Sequence, residues 1–129
     1  MDFSYTARQR ELRERAASLT ATIMKYEDDC EESNGLSAAV HAQLRQAVLD
    51  HGLQAINMPS EWGGAGLSIL EQVVVQEQLG RLTGALWDVV WRPANALRAC
   101  TPQQRERYLL PGIRGERRDC VAVTEPAFW

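Results

Sequence analysis

Apolar residues recur at alternating four- and three-residue steps near the start of the chain. These positions are Leu12, Ala16, Leu19, Ile23 and Tyr26. This spacing places them on one stripe of a long amphipathic helix. Charged residues on the other face, such as Glu11 and Arg15, are spaced for i,i+4 ion pairs. Acidic residues at positions 28–32 oppose the dipole at the helix C-terminus, so we expect the helix to fray before Asn34 and Gly35.

Two further helices are predicted from their start and stop residues. Ser37 is placed as the N-cap of a helix that ends near Gly52, where a left-handed backbone is tolerated. Ser68 and Glu71 form a capping-box pattern that opens a third helix, which ends at Gly80. We therefore expect helices over about residues 38–51 and 69–79.

The last third of the chain predicts two more helices and one strand. A fourth helix is expected over about residues 86–99, kinked by Pro93 because proline removes a backbone donor. A fifth begins at Thr101 as N-cap, followed by Pro102 in the first turn. Only residues 119–124 have the apolar run of a strand. A strand needs a partner to pair its backbone groups, so we expect the sequence to be the front of a larger architecture.

Composition narrows the class of protein. The 129 residues have a net charge of −3 and interspersed charges, so a nucleic-acid partner is not expected. We find no signal peptide and no run approaching the roughly 20 apolar residues of a membrane helix. Cys30, Cys100 and Cys120 are widely spaced and lack a usual metal-ligand pattern. We therefore interpret them as reduced thiols of a cytoplasmic protein and expect no metal site.

Residues 56–68, which we call the glycine loop, connect the second and third helices. Three glycines in four positions permit backbone angles closed to other residues, and Pro59 and Trp62 supply a fixed entry and an apolar anchor. Such a loop is either a connector or a cradle for a phosphate. It lacks the lysine and spacing of a nucleotide-binding P-loop, which favours the connector.

The order of several motifs along the chain is more specific than any one of them. They are Gly52-Leu53, the glycine loop, Glu77-Gln78-Leu79-Gly80-Arg81, the segment from Thr101 to Pro111, Gly115-Glu116 and Val123-Thr124-Glu125-Pro126. This succession resembles the N-terminal helical domain of the acyl-CoA dehydrogenase family over nearly the whole chain. The resemblance implies an all-α bundle of about five to six helices over residues 1–118. Residues 119–129 would then be the first strand of a middle β-domain.

The resemblance implies an enzyme family that binds FAD and an acyl-CoA thioester. In that family a carboxylate base removes the α-proton while the flavin accepts the β-hydride, which gives a 2-enoyl-CoA. The base belongs to a C-terminal helical bundle in most members, and this sequence has no counterpart of that region. None of its glutamates is therefore assigned a catalytic role, and we expect the isolated chain to be inactive.

The resemblance also implies contacts with the flavin near the end of the sequence. Val121, Val123 and Thr124 match the strand that runs beside the flavin ring. The alternative is that Thr124 and Pro126 simply end a strand. Family members commonly continue with a Gly- and Ser-containing segment, where this chain has Ala127-Phe128-Trp129. We therefore expect FAD in the complete enzyme and not on these residues alone.

A second implied contribution is the wall of the acyl pocket. Alignment from the Thr-Glu-Pro motif places Gly84, Trp87, Asp88 and Trp91 near that wall. Trp87 and Trp91 would share one helical face, where they could shorten the pocket or pack on a cyclic or branched group. The alternatives are an ordinary core pair of tryptophans and an exposed i,i+4 ion pair between Asp88 and Arg92.

Three functional hypotheses follow. The chain is the N-terminal part of an FAD-dependent acyl-CoA dehydrogenase, whose partners would be the acyl-CoA substrate and an electron-transfer protein. Alternatively, it is a non-catalytic helical module that associates with a full-length dehydrogenase or with itself. The third hypothesis is a remnant with no activity. A domain that lacks its neighbours should expose apolar surface, so we expect a homo-oligomer or association with other dehydrogenase domains.

Overall fold

The structure is a computed structural model that describes residues 4–120. Within these residues the regular elements are all helical, which confirms the all-α fold. The α-helices are α1 (Ala7–Met24), α2 (Glu27–Glu32), α3 (Ala38–Asp50), α4 (Ile69–Leu79), α5 (Pro102–Gln104) and α6 (Leu110–Ile113). Three 3₁₀ helices, Ser60–Trp62, Gly84–Val89 and Asn95–Ala99, and one π-helical turn, Arg105–Leu109, complete the set.

Helix α1 supplies the largest contribution to the core. The predicted stripe is buried at Leu12, Ala16, Leu19 and Ile23, and it packs mainly against α4. A capping box that the sequence reading missed begins the helix at Thr6. The prediction of one helix as far as residue 33 was wrong, because α1 ends at Met24 and a separate short helix, α2, follows.

The caps of α3 and α4 are the predicted ones. The Ser37 hydroxyl accepts the backbone N–H of Val40 at 3.3 Å, which satisfies one of the free donors at the start of α3. Ser68 and Glu71 form a reciprocal capping box at the start of α4. These caps fix where each helix begins, and the buried residues Leu44, Val48 and Val75 then meet α1 in the main core.

The predicted kinked helix over residues 86–99 was wrong. The backbone instead forms the 3₁₀ helices Gly84–Val89 and Asn95–Ala99, separated by an irregular stretch at residues 90–94. Pro93 disfavours helical angles at the residue before it. Backbone groups of this stretch are also bound from elsewhere: Trp91 O accepts the N–H of Ala55 at 3.1 Å. Tertiary hydrogen bonds therefore replace the intrahelical ones.

The fifth predicted helix is present over residues 102–113, with a π turn inside it. Its capping box is the predicted one: the Thr101 hydroxyl accepts the N–H of Gln104, whose side chain accepts the N–H of Thr101. The helix contributes Leu109 and Ile113 to a second small core with Ala55 and Met58.

The predicted strand and domain boundary lie mostly beyond what the structure describes. Asp119 and Cys120 are in irregular backbone, and residues 121–124 lie outside the described residues. The strand over 119–124 and the division at residue 118 therefore stay predictions.

Candidate functional site

The glycine loop uses its own backbone N–H groups internally. Five consecutive donors, those of residues 63–67, each bond to a carbonyl of residues 55–60 at 2.9–3.3 Å. A phosphate cradle needs several N–H groups left free to point at the anion. The loop therefore fits the connector interpretation and not the cradle.

Close packing explains one of the glycines. A Cβ added at Gly64 would lie 2.4 Å from the carbonyl oxygen of Met58, so no larger residue fits without movement of the backbone. Trp62 anchors the loop as predicted, since its half-buried ring packs on the second core and the guanidinium of Arg105 lies 4.1 Å from its ring centroid.

The N-terminus of α4, which follows the loop, is also occupied. The carboxylate of Glu71 accepts the N–H of Ser68 at 2.8 Å and pairs with Arg8 at 2.5 Å. The Ser68 N–H, followed by Arg8, holds the pKa of Glu71 below its ordinary value. A negative side chain therefore already complements the helix dipole at this end.

A cleft of about 550 Å³ is the largest concave site on residues 4–120. We call it the tryptophan cleft. It lies between the C-terminal half of α4, the stretch around residues 87–93 and the segment at residues 117–119. Its lining residues are Gln76, Leu79, Gly80, Trp87, Asp88, Val90, Trp91, Arg92, Pro93, Gly112, Arg117, Arg118 and Asp119.

The structure brings Trp87, Asp88 and Trp91 together at this cleft, although not on one helical face. Trp87 belongs to a 3₁₀ helix and is 67% exposed, so it is not a core residue. Trp91 lies after that helix and is half-buried, and its indole N–H donates to the carbonyl of Ile113 at 2.9 Å. Gly84, also expected at the wall, does not line the cleft.

Asp88 forms an ion pair with Arg118. The predicted pair between Asp88 and Arg92 was wrong within residues 4–120, because the helix that would have brought them together is absent. Arg118 also donates to Nε2 of His41 at 2.8 Å. Burial, followed by the charges of Arg118 and Arg45, lowers the pKa of His41. A neutral His41 is the form that can accept this hydrogen bond.

Sequence reasoning missed the residues that close the cleft from the C-terminal side. Arg117, Arg118 and Asp119 were assigned to the end of the helical domain with no contact to the tryptophans. Asp119 accepts the backbone N–H of Ala94 at 2.7 Å, which folds this segment against the irregular stretch. The run of alternating charges at 116–119 carried no signal for that contact, since the partner is a backbone group.

Other kinds of site were searched in the described residues. None of the helices there is both long and apolar enough to cross a membrane. Residues 4–120 bring together no group of three or more His, Cys, Asp or Glu side chains fit for a metal ion. The three cysteines are free thiols: Cys30 is buried, Cys100 is half-buried and Cys120 is exposed.

The chain belongs to the acyl-CoA dehydrogenase family. Residues 6–116 match the model for the acyl-CoA dehydrogenase N-terminal domain, which covers most of the chain. This match confirms the resemblance inferred from the order of motifs. No solved structure was found to match the chain.

Several curated proteins are similar to it. A 3-(aryl)acrylate reductase of Clostridium sporogenes is 33% identical over 65% of this chain and 24% of its own length. The mitochondrial isovaleryl-CoA dehydrogenase of Bos taurus is 34% identical over 58% of this chain and 19% of its own. The (R)-benzylsuccinyl-CoA dehydrogenase of Thauera aromatica is 30% identical over 98% of this chain and 35% of its own. The chain thus spans about a fifth to a third of these relatives.

The family uses FAD, but residues 4–120 do not fit its pyrophosphate. Backbone N–H groups in a glycine-rich turn and a helix N-terminus commonly bind such a group. Here the glycine loop has bonded its donors internally, and Glu71 occupies the N-terminus of α4. Val121, Val123 and Thr124, which the resemblance assigns to the flavin, lie outside the described residues.

Proposed function

We propose that this chain is the N-terminal helical domain of an FAD-dependent enzyme that dehydrogenates an acyl-CoA thioester between its α and β carbons. The observation that carries this proposal is the family match over residues 6–116. The tryptophan cleft supports it, since it brings together Trp87, Asp88 and Trp91, the three residues predicted for the acyl-pocket wall.

The role of the chain in that enzyme is to shape and close the acyl pocket. A pocket wall acts by orienting the acyl group and excluding water, which raises the rate without a reacting group on the wall itself. The catalytic base and most of the FAD site belong to other domains of the complete enzyme. Val121, Val123 and Thr124 are proposed as the flavin contacts of this chain, and FAD supplies hydride acceptance when bound.

The direction of the reaction is part of the proposal. The relatives include proteins named as dehydrogenases and proteins named as reductases of acrylates or enoyl thioesters. Oxidation and reduction across the same C–C bond need the same orientation of the acyl group. The assay must therefore include both a saturated acyl-CoA with an electron acceptor and an enoyl-CoA with a donor.

A chimera tests the proposal. Residues 6–116 replace the aligned N-terminal region of the Thauera aromatica relative, and the same enzyme lacking that region serves as the control. We expect the chimera to bind flavin and to show acyl-CoA-dependent flavin reduction or enoyl-CoA-dependent oxidation, and the control to show neither. A chimera that folds and binds flavin but responds to no thioester would refute the proposal.

One observation favours the alternative, a helical module that associates with other dehydrogenase domains or with itself. Ile69, Leu70 and Val73 on α4 are 76%, 59% and 58% exposed, which is a large apolar surface for a single helix. Light scattering on the purified chain distinguishes the cases. Self-association that is abolished by Leu70→Glu and Val73→Glu would favour the module, and a strict monomer would argue against a homo-oligomer.

A further inference from the structure

We propose that the tryptophan cleft binds an acyl group that carries an aromatic ring and a carboxylate of its own. This inference rests on the proposed function and names the class of acyl group that the cleft would take. Two features of the lining carry it: a pair of unstacked indoles and an excess of guanidinium groups.

The two indoles are arranged to receive a ring. Trp91 is held in place, since its N–H is bonded to Ile113 and its six-membered ring lies against Gly115. Trp87 lines the same cleft with most of its surface exposed. The aromatic rings of residues 4–120 that have a guanidinium over them are Tyr5, Trp62 and Tyr108. The indoles of the cleft are therefore available to stack on a ligand ring, which is favoured by offset or edge-to-face geometry.

The charges of the cleft favour an anion. Its two carboxylates are already engaged, Asp88 by Arg118 and Asp119 by the N–H of Ala94. Arg92 has no ion-pair partner within residues 4–120, and Arg117 interacts with Glu116 only through the charge at longer range. A guanidinium recognises a carboxylate through paired N–H donors, which a neutral acyl chain cannot use.

Size and shape agree with this ligand class. A volume of about 550 Å³ is within the range of small-molecule sites, roughly 300–1,000 Å³. It has room for a ring and a carboxylate together. A short straight acyl chain would leave the guanidinium groups without a partner and the indoles exposed to water.

Nitrogen-15 NMR on the whole chain tests the proposal without flavin or turnover. The four indole N–H signals are assigned with single Trp→Phe variants, and Trp62 serves as an internal reference because it lines a different concavity. The probes are 3-phenylpropionate, hexanoate and 3-phenylpropanol. We expect saturable shifts of the Trp87 and Trp91 signals, with 3-phenylpropionate binding about tenfold more tightly than either other probe.

Matched variants assign the two parts of the recognition. Arg92→Gln should weaken 3-phenylpropionate about fivefold and leave 3-phenylpropanol unchanged, and Trp87→Ala should weaken both aromatic probes by a similar factor. Arg98→Gln and Trp62→Phe, outside the cleft, should change neither. Equal binding of hexanoate, or no saturable shift at Trp87 and Trp91, would overturn the proposal. Such a failure leaves the chimera's activity on other thioesters intact, whereas an inactive chimera with normal NMR binding refutes only the proposed function.

Discussion

The side-chain amide of Asn57 donates a hydrogen bond of 2.7 Å to the carbonyl oxygen of Pro93. The same nitrogen donates to the side-chain oxygen of Asn95, also at 2.7 Å. Asn57 is only 6% exposed, so these bonds form away from water. They connect the glycine loop to the irregular stretch that carries the edge of the tryptophan cleft. The connector interpretation of the loop thereby acquires a purpose: the loop positions the cleft.

Replacing Asn57 should destabilise the domain. In Asn57→Ala the buried carbonyl of Pro93 loses its donor, and we expect a loss of about 1–3 kcal/mol in the free energy of unfolding. Urea denaturation measures it. Asn95→Ala is the control, because Asn95 is exposed and water can replace its bond, so it should cost under about 1 kcal/mol. Equal effects of the two variants would contradict the assigned role of Pro93.

Gly64→Ala should be destabilising for steric reasons alone. The added Cβ would lie 2.4 Å from Met58 O, and separating them requires the backbone of the loop to move, at a cost of about 1–3 kcal/mol. Thermal unfolding compares it with Gly112→Ala, where the nearest atom to the new Cβ is Pro93 Cγ at 3.8 Å. We expect the second variant to be as stable as the parent. A stable Gly64→Ala protein would show that the loop is not packed as described.

Trp91→Phe should cost about 1 kcal/mol, since the phenyl ring keeps apolar contact but cannot donate to Ile113 O. Trp87→Phe removes an exposed indole for which the described residues provide no hydrogen-bond partner, so its effect should be within about 0.5 kcal/mol. Chemical denaturation of both variants gives the comparison. A larger loss for Trp87 than for Trp91 would contradict the geometry of the cleft.

Stability should fall as pH falls through the ordinary titration range of histidine. The pKa of His41 is lowered in the folded state by burial and by Arg118 and Arg45. Below the unfolded value of about 6.5 the unfolded chain binds a proton that the folded chain resists, so protonation favours unfolding. The stabilisation is present above that value and is lost between it and the lower folded pKa.

The histidine effect is measured as a difference in Tm between about pH 7.5 and about pH 5.5. We expect this difference to shrink in His41→Gln, which cannot take up the proton. His51→Gln is the matched control, because His51 is a C-cap residue of α3 away from the arginines. A pH dependence that disappears with His51→Gln instead would assign the effect to the wrong histidine.

Local signals in the sequence predicted much of the helical frame. Ser37, Ser68 and Thr101 were placed correctly as N-caps because a cap bonds only two or three residues ahead. The buried stripe of α1 was predicted because helical periodicity is also local. The capping box at Thr6 carried the same signal, Thr followed by Gln at N3, and was overlooked.

The failures depend on distant partners. Residues 86–99 have apolar helical character, but Trp91 O and Pro93 O are bonded by Ala55 and Asn57 of the glycine loop. No local pattern encodes those bonds. Trp87 and Trp91 were nevertheless placed at one site through family resemblance, although the helical spacing used to join them does not exist. Arg118 could not be predicted as the partner of Asp88, since thirty residues separate them in the sequence.

The internally bonded glycine loop has a consequence for its dynamics. Amide protons in glycine-rich connections usually exchange quickly with solvent deuterium, because their donors face water. Here the five amides of residues 63–67 are each held by a carbonyl. They should exchange only when the second core opens, on the same slow timescale as the amides of the surrounding helices. The segment that composition marks as the softest in the chain would then be a rigid brace, and deuterium uptake would report it as part of the folded nucleus.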